Sequence, residues 1–215
     1  AKFGKLGVLL MPIKRLTYIL LCIFMISSCS VNKFIPEGEY LLKDVKIVSN
    51  TNASNVIKSR NYVRQMPNAK WFSLVKVPLY TYALSGRDTT MWINNVLQRL
   101  GEAPVIYNEG LAEISRRNIE QMLVNEGYLH ATVDFECEKR DEKRRAVATY
   151  YLHERERYHV SDITLNSADS ALCSIIDINS EDSHLRPGMP FSVEGMEQER
   201  NRLTKMLRDK GYYRF

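Results

Sequence analysis

The residues with the plainest capacity for chemistry stand near the amino terminus, at Ile26-Ser27-Ser28-Cys29-Ser30. Small residues leading into a cysteine resemble a lipobox, the pattern at which a thiol is joined to diacylglycerol and the chain is cut just before it. Cys29 is therefore expected to be acylated and to become the first residue of the mature chain. What precedes it agrees, because Lys14-Arg15 supplies a positive segment and Leu16 to Ile26 an apolar run. That run is short for a bilayer span, which needs ~20 apolar residues. Met11 opens a conventional leader, so residues 1–10 are expected to be upstream sequence.

The other reactive side chains are dispersed. Cys22 precedes the cut, which leaves Cys137 and Cys173; they fall in different copies of the repeat set out below and are expected to be free, mostly buried thiols. His130, His153, His159 and His184 lack the spacing of metal ligands, and there is no Gly-x-Ser-x-Gly, His-Glu-x-x-His or glycine-rich phosphate loop. No catalytic residue, metal ligand or cofactor is expected. Charge narrows the partners further. Of 30 Lys and Arg, four precede Cys29, and none of the 25 Asp and Glu do, so the mature chain carries 26 against 25. A near-neutral chain offers no electrostatic footprint for nucleic acid.

The positioning elements are legible through a repeat. Placing Gly127-Tyr128 over Gly211-Tyr212 also matches Glu113 with Glu197, Arg116 with Arg200, Ile119 with Leu203, Met122 with Met206 and Leu123 with Leu207. A second match sets Asp44 to Ser49 over Asp162 to Ser167 at a larger offset. The first repeat must therefore hold an insertion, expected within 67–104, which is rich in aromatic and apolar residues. That stretch is expected to pack as a local hydrophobic cluster, the other reading being an exposed interaction surface near the lipid anchor.

Alternation predicts a strand over 40–49, and periodicity a helix over 54–66 stopped by Pro67. A clearer helix spans 111–126, with Leu111, Ile114, Ile119, Met122 and Leu123 on one stripe and Gly127 as its left-handed cap. Beyond it Leu129, Ala131, Val133, Phe135 and Cys137 alternate with His130, Thr132, Asp134, Glu136 and Glu138, the pattern of a half-buried strand. Lys139 to Arg145 reads as a solvated hairpin loop and 146–153 as the returning strand. The second repeat predicts a strand over 158–165, a helix over 168–178 and a helix over 193–210. Its last two strands are missing, so it is expected to be unstable by itself and the natural chain to continue.

A strand-helix-helix-strand-strand repeat with Gly-Tyr after its second helix resembles the POTRA (polypeptide-transport-associated) domain. Arg186-Pro187-Gly188-Met189-Pro190-Phe191, followed by an amphipathic helix and Lys210-Gly211-Tyr212-Tyr213, carries that resemblance best. The strings Cys29-Ser30, Lys33 to Leu42 and Leu100 to Tyr107 resemble the lipidated TamA-like proteins, TamL type, of the BamA-related outer-membrane assembly family. The resemblance covers 11–215. It implies an α+β fold of tandem POTRA domains, each a three-stranded sheet with two helices on one face, the second truncated. The divisions are then 1–28 as leader, 29–39 as lipidated linker, 40–157 as the first domain and 158–215 as the second. The family's further POTRA domain and its membrane barrel have no counterpart in these residues.

The same resemblance implies a function. Such domains receive or guide unfolded outer-membrane-protein precursors alongside other assembly-complex subunits, and the second strand is an open edge to which an extended segment can add. Carried onto this chain, the contact falls on Ala131, Thr132, Val133, Asp134, Phe135, Glu136, Cys137 and Glu138. The expected location is the periplasmic side of the outer membrane, held by lipid through Cys29. The alternatives are a stand-alone POTRA-like scaffold lipoprotein without a barrel, and a periplasmic lipoprotein enzyme.

Overall fold

The computed structural model describes residues 31–71, 75–88, 90–164, 169–178 and 180–213. Cys29 and the leader lie outside the described residues, as do Phe72 and Leu74 of the insertion and residues 165–168 of the second repeat. The fold is α+β with one three-stranded sheet: β1 (Leu41–Ser49), β2 (Thr132–Arg140) and β3 (Arg145–His153), in the order β1-β3-β2. β2 and β3 form an antiparallel hairpin around Asp141–Lys143, with Arg144 in the left-handed region. β1 runs parallel to β3, because Leu41 donates to the Arg144 carbonyl at one end while Ser49 meets Glu154 at the other. The sheet is therefore mixed, and its centre is the most apolar strand. Ala146, Val147, Ala148, Tyr150 and Leu152 of β3 are all buried.

The helices are α1 (Ala53–Ser59), α2 (Val77–Leu84), α3 (Trp92–Leu100), α4 (Glu109–Asn125), α5 (Ser170–Ile178) and α6 (Val193–Asp209). The chain divides into two compact units, one holding residues up to Val45, Met66–Asn108 and Cys137–Ala148, the other Lys46–Gln65, Glu109–Glu136 and Thr149 onward. In the first unit, Val31, Ile35, Leu41, Leu79 and Ala83 form a buried cluster joined by Ile106. α2 thus packs through Leu79 and Ala83 against the segment that follows the expected lipid anchor. The base of the insertion is clasped by buried Asn68, whose amide donates to the Ala103 carbonyl (2.7 Å) and accepts from the Val105 N–H (3.1 Å).

In the second unit, α4 presents Ala112, Ser115, Ile119, Met122 and Leu123 to the interior, and the Tyr150 hydroxyl donates to the Ala112 carbonyl (3.3 Å). Leu111 and Ile114, expected on the buried stripe, are exposed, which is a one-residue rotation of that face. α1 begins at an Asn52 cap whose side chain accepts from the Ser54 N–H. It ends earlier than Pro67 requires, because Val63 turns to extended backbone and the Arg64 N–H donates to Ser115 Oγ (2.9 Å) instead of continuing the helix.

Glu154, 2% exposed, closes the open end of the parallel pair. Its carboxylate accepts from Ser49 Oγ (2.8 and 2.9 Å), Thr51 Oγ1 and Asn55 Nδ2 (3.1 Å). Ser49 Oγ in turn accepts from the Thr51 and Asn52 N–H groups, which shapes the turn into α1.

The expected strand over 158–165 is not formed among the described residues 158–164, where His159 makes an isolated bridge to Pro190. A strand exists only through a ladder, and this segment's backbone meets the short 188–191 passage instead: Val160 N–H to Met189 O, Gly188 N–H to Val160 O and Phe191 N–H to Tyr158 O. α6 is capped by Ser192 Oγ, which accepts from the Gly195 N–H. From α6 the buried Glu199 carboxylate accepts from Arg202 (2.6 and 3.0 Å) and from the His184 N–H (2.9 Å), fixing the preceding loop.

Both long helices end in the same device. The Gly127 N–H donates to Val124 O and the Tyr128 N–H to Leu123 O; the Gly211 N–H donates to Arg208 O and the Tyr212 N–H to Leu207 O. This is the Schellman pattern, with both glycines at positive φ (95° and 91°) and both leucines buried. The two sites differ in their surroundings. A Cβ on Gly127 would stand 2.4 Å from the Phe191 carbonyl oxygen, whereas nothing lies within 4 Å of one on Gly211. Gly211→Ala should therefore cost about 1–2 kcal/mol of local stability from backbone strain alone, and Gly127→Ala distinctly more. Hydrogen exchange of the Tyr128 and Tyr212 amides measures both; equal losses would contradict the contact.

Arg202, and secondarily the His184 N–H, hold the Glu199 carboxyl down from 4.5 to about 2 against the opposing effect of burial. A folded-state value below the unfolded one means that this stabilisation is fully present above about pH 4.5 and is lost as pH falls toward 2. Protection of the His184 amide, corrected for its intrinsic exchange rate, should decline over that window. Glu199→Gln should flatten the decline and weaken the loop at neutral pH by about 1.5–3 kcal/mol.

Candidate functional site

β2 borders the sheet: β3 lies on one side of it and no described strand on the other. Its alternation sets the two faces. Ala131, just before the strand, and Val133 are buried, Phe135 and Cys137 are half-buried, and Thr132, Asp134, Glu136 and Glu138 are exposed. The inner face is held by packing, with the Phe135 and Tyr150 rings 5.1 Å apart. On the outer face Asp134 meets His153 Nε2 at 3.1 Å, and the Tyr151 hydroxyl donates to Glu136 at 3.2 Å. Glu136 raises the Tyr151 pKa by accepting that hydrogen bond.

The preceding helix and its cap aim the strand. The Schellman turn at Gly127 reverses the chain, the Ala131 N–H donates to Tyr128 O (3.0 Å), and β2 starts at Thr132. Arg116 of α4 adds a side-chain contact to the strand's backbone. Its guanidinium is held by Glu113 (2.8 Å) and Glu120 (2.8 Å) and donates to the Val133 carbonyl at 3.3 Å. Arg116, then Arg117, lower the Glu113 carboxyl to about 2, so this cluster stays charged across the physiological range. The sequence shows Arg116 as a solvent-facing helix residue; only its spacing to Glu113 and Glu120 hints at a fixed guanidinium.

The sheet's other border is different. β1 is covered at its start by 105–107, with Leu42 N–H donating to Val105 O (2.8 Å) and Tyr107 N–H to Tyr40 O (2.7 Å), and the Lys76 ammonium donates to the Lys43 carbonyl (2.7 Å). Among the described residues β1 is thus covered along its first residues, and no strand lies on the outer side of β2.

The other concave feature belongs to the first unit, a cleft of about 370 Å³ lined by Lys43, Asp44, Lys70, Lys76 and Arg145 over an apolar floor. Burial, then Lys70, pushes the Lys76 amine down to about 8. The cleft offers several cations and one carboxylate. Cys137 and Cys173 are free thiols, half-buried and not buried as expected. Among the described residues no group of His, Cys, Asp and Glu is arranged to hold a metal, and no helix is long and apolar enough to cross a membrane.

No protein-family model and no curated protein matches the sequence. Solved structures do. The chain is similar to the POTRA3-5 region of BamA from Haemophilus influenzae, with TM-score 0.38 and 14% identity over 80% of this chain and 57% of that one. It is similar to BamA from Haemophilus ducreyi lacking POTRA domains 1-3, with TM-score 0.38 and 17% identity over 77% of this chain and 24% of that one. It is also similar to POTRA1-2 of the periplasmic domain of Omp85 from Anabaena, with TM-score 0.37 and 11% identity over 82% of this chain and 84% of that one. The chain thus spans little more than half of the first of these and a quarter of the second, and its similarity is to POTRA domains at low sequence identity.

Proposed function

We propose that this chain is the periplasmic POTRA-like region of an outer-membrane lipoprotein of the TamA-like, TamL type, and that it receives or guides unfolded outer-membrane-protein precursors toward assembly. The observation that carries the reading is the asymmetry of the sheet: β1's border is covered at its start, while β2's meets no described strand. An extended precursor segment has unpaired backbone donors and acceptors at every residue, and an open strand satisfies them whatever the side chains are. That is the recognition a carrier of many sequences requires. Residues 131–138 are the docking edge in this reading, with Arg116 steadying the strand from behind. The matching caps at Gly127 and Gly211 support a second repeat beginning near Tyr158, incomplete in these residues. Acyl chains on Cys29 hold the protein at the periplasmic face of the outer membrane, where other assembly subunits meet it; more than one chain is needed for stable anchoring.

Two experiments test this. Mass spectrometry of the amino-terminal peptide from protein made in a Gram-negative host should find acylated Cys29 and no leader; an intact leader with an unmodified thiol removes the lipoprotein reading. For the edge, Thr132→Pro and Val133→Pro place the missing N–H on opposite sides of β2, so one breaks the β2–β3 ladder and the other removes a donor from the border. Val133→Ala controls for the packing lost with the buried side chain. The variant that keeps the parent's thermal unfolding should show photo-crosslinking to an unfolded outer-membrane-protein peptide reduced by ~3- to 10-fold, the worth of one backbone hydrogen bond. Undiminished capture by every folded variant excludes this strand as the docking edge.

A further inference from the structure

Helix α3 is built inside out. It docks on the first unit through polar side chains: Asn94 Oδ1 accepts from the Gly86 N–H (2.8 Å), Asn94 Nδ2 donates to Asp88 O (2.6 Å) and Gln98 Nε2 donates to Gly86 O (3.2 Å). Of its large apolar residues Leu97 is half-buried with them, while the other four point outward, Trp92 73%, Ile93 47%, Val96 43% and Leu100 71% exposed. Met91, just before the helix, is exposed as well. An amphipathic helix in water buries its apolar stripe and solvates the polar one. The reverse arrangement marks a surface meant for an apolar or interfacial medium.

The position of the amino-terminal segment says which medium. Val31, only two residues beyond Cys29 in the sequence, is buried in the first unit's core. The next residues run beside α2 and α3: the Phe34 and Tyr82 rings are 5.0 Å apart, Lys33 Nζ donates to Ser85 O (2.6 Å), and Lys33, Phe34, Tyr82, Arg87 and Gln98 line one shallow pocket of about 400 Å³. Acyl chains on Cys29 would bring the bilayer to the first unit at this segment. Arg99 on the exposed side of α3 suits anionic headgroups, and Trp92 is the side chain that best tolerates the boundary between headgroup and acyl chain.

We propose that α3 is an interfacial helix, seated in the headgroup region of the membrane that anchors Cys29, so that lipid and helix together fix the first unit's orientation at the bilayer. This inference rests on the lipoprotein reading, and the test separates the two. Trp71 and Trp92 are the only tryptophans, so Trp71→Phe makes Trp92 the reporter and Trp92→Phe makes Trp71 the comparison. The full chain, its acylation checked by mass spectrometry, is reconstituted in vesicles of phosphatidylethanolamine and phosphatidylglycerol doped with dibrominated phosphatidylcholine. Trp92 should be quenched by at least ~twofold and shifted to the blue, as a side chain seated in the acyl boundary is, and Trp71 much less. Val96→Asp with Leu100→Asp should abolish the quenching while leaving flotation with the vesicles and thermal unfolding as in the parent. Unquenched Trp92 in acylated, floating protein overturns the inference and leaves the anchor standing. Failure of acylation and flotation overturns both, because nothing then holds the helix at a bilayer.

Discussion

A parallel pair of strands cannot be closed by a hairpin, so β1 and β3 need some other bond at the end remote from the β2–β3 turn, and the Glu154 carboxylate supplies it. It reaches Ser49 at the end of β1, Thr51 in the turn and Asn55 in α1 from the end of β3. No ion pair to Glu154 occurs among the described residues; neutral hydroxyls and an amide carry its solvation. A carboxylate buried without a cation is costly unless its lone pairs are filled, and here they are filled by groups that would otherwise be orphaned in a turn. Loss of this side chain would leave the Ser49, Thr51 and Asn55 side-chain donors without this acceptor as well. The order β1-β3-β2 depends on β1 staying at β3's side. The open border of β2, and hence the whole functional reading, depends on that order.

How much of this the sequence discloses follows from the range of each interaction. The Gly-Tyr caps are local, encoded within six residues, and the repeat displays them twice. β2 is equally plain, because Ala131, Val133, Phe135 and Cys137 alternate with polar residues and only one face of such a strand can be buried. The rotation of α4 is less so. Leu111 and Ile114 look like core residues, but α4 is turned so that the Ala112 carbonyl meets the Tyr150 hydroxyl and Ser115 Oγ meets the Arg64 N–H. The role of Glu154 is invisible in a run of alternating charges from His153 to Arg157, since its partners lie some hundred residues away. The strand expected from 158 fails for a similar reason: alternation states that a segment can pair, and a partner elsewhere in the chain decides whether it does.

The insertion shows the limit of hydrophobicity as a guide. Counted by composition, α2 and α3 are both apolar segments beside a core, and the expectation of a local packed cluster suits α2, whose Leu79 and Ala83 are buried with Val31 and Leu41. α3 has the same kinds of residue and does the opposite, because Asn94 and Gln98 find the free backbone groups of Gly86 and Asp88 and turn the polar side inward. Two hydrogen-bonding side chains thus decide the orientation of four apolar ones. Burying Trp92, Ile93, Val96 and Leu100 is worth roughly 1.5–3 kcal/mol for each large side chain, more than the ~1 kcal/mol of a typical hydrogen bond. A water-soluble fold left to itself would be expected to rotate the helix the other way. The outward face suits an environment in which those side chains are not in water, and in the proposed reading β2's border likewise awaits a strand from outside the chain. The two surfaces are unsatisfied in different ways: one lacks an apolar neighbour and the other lacks a strand, so a lipid cannot complete the second nor an extended peptide the first.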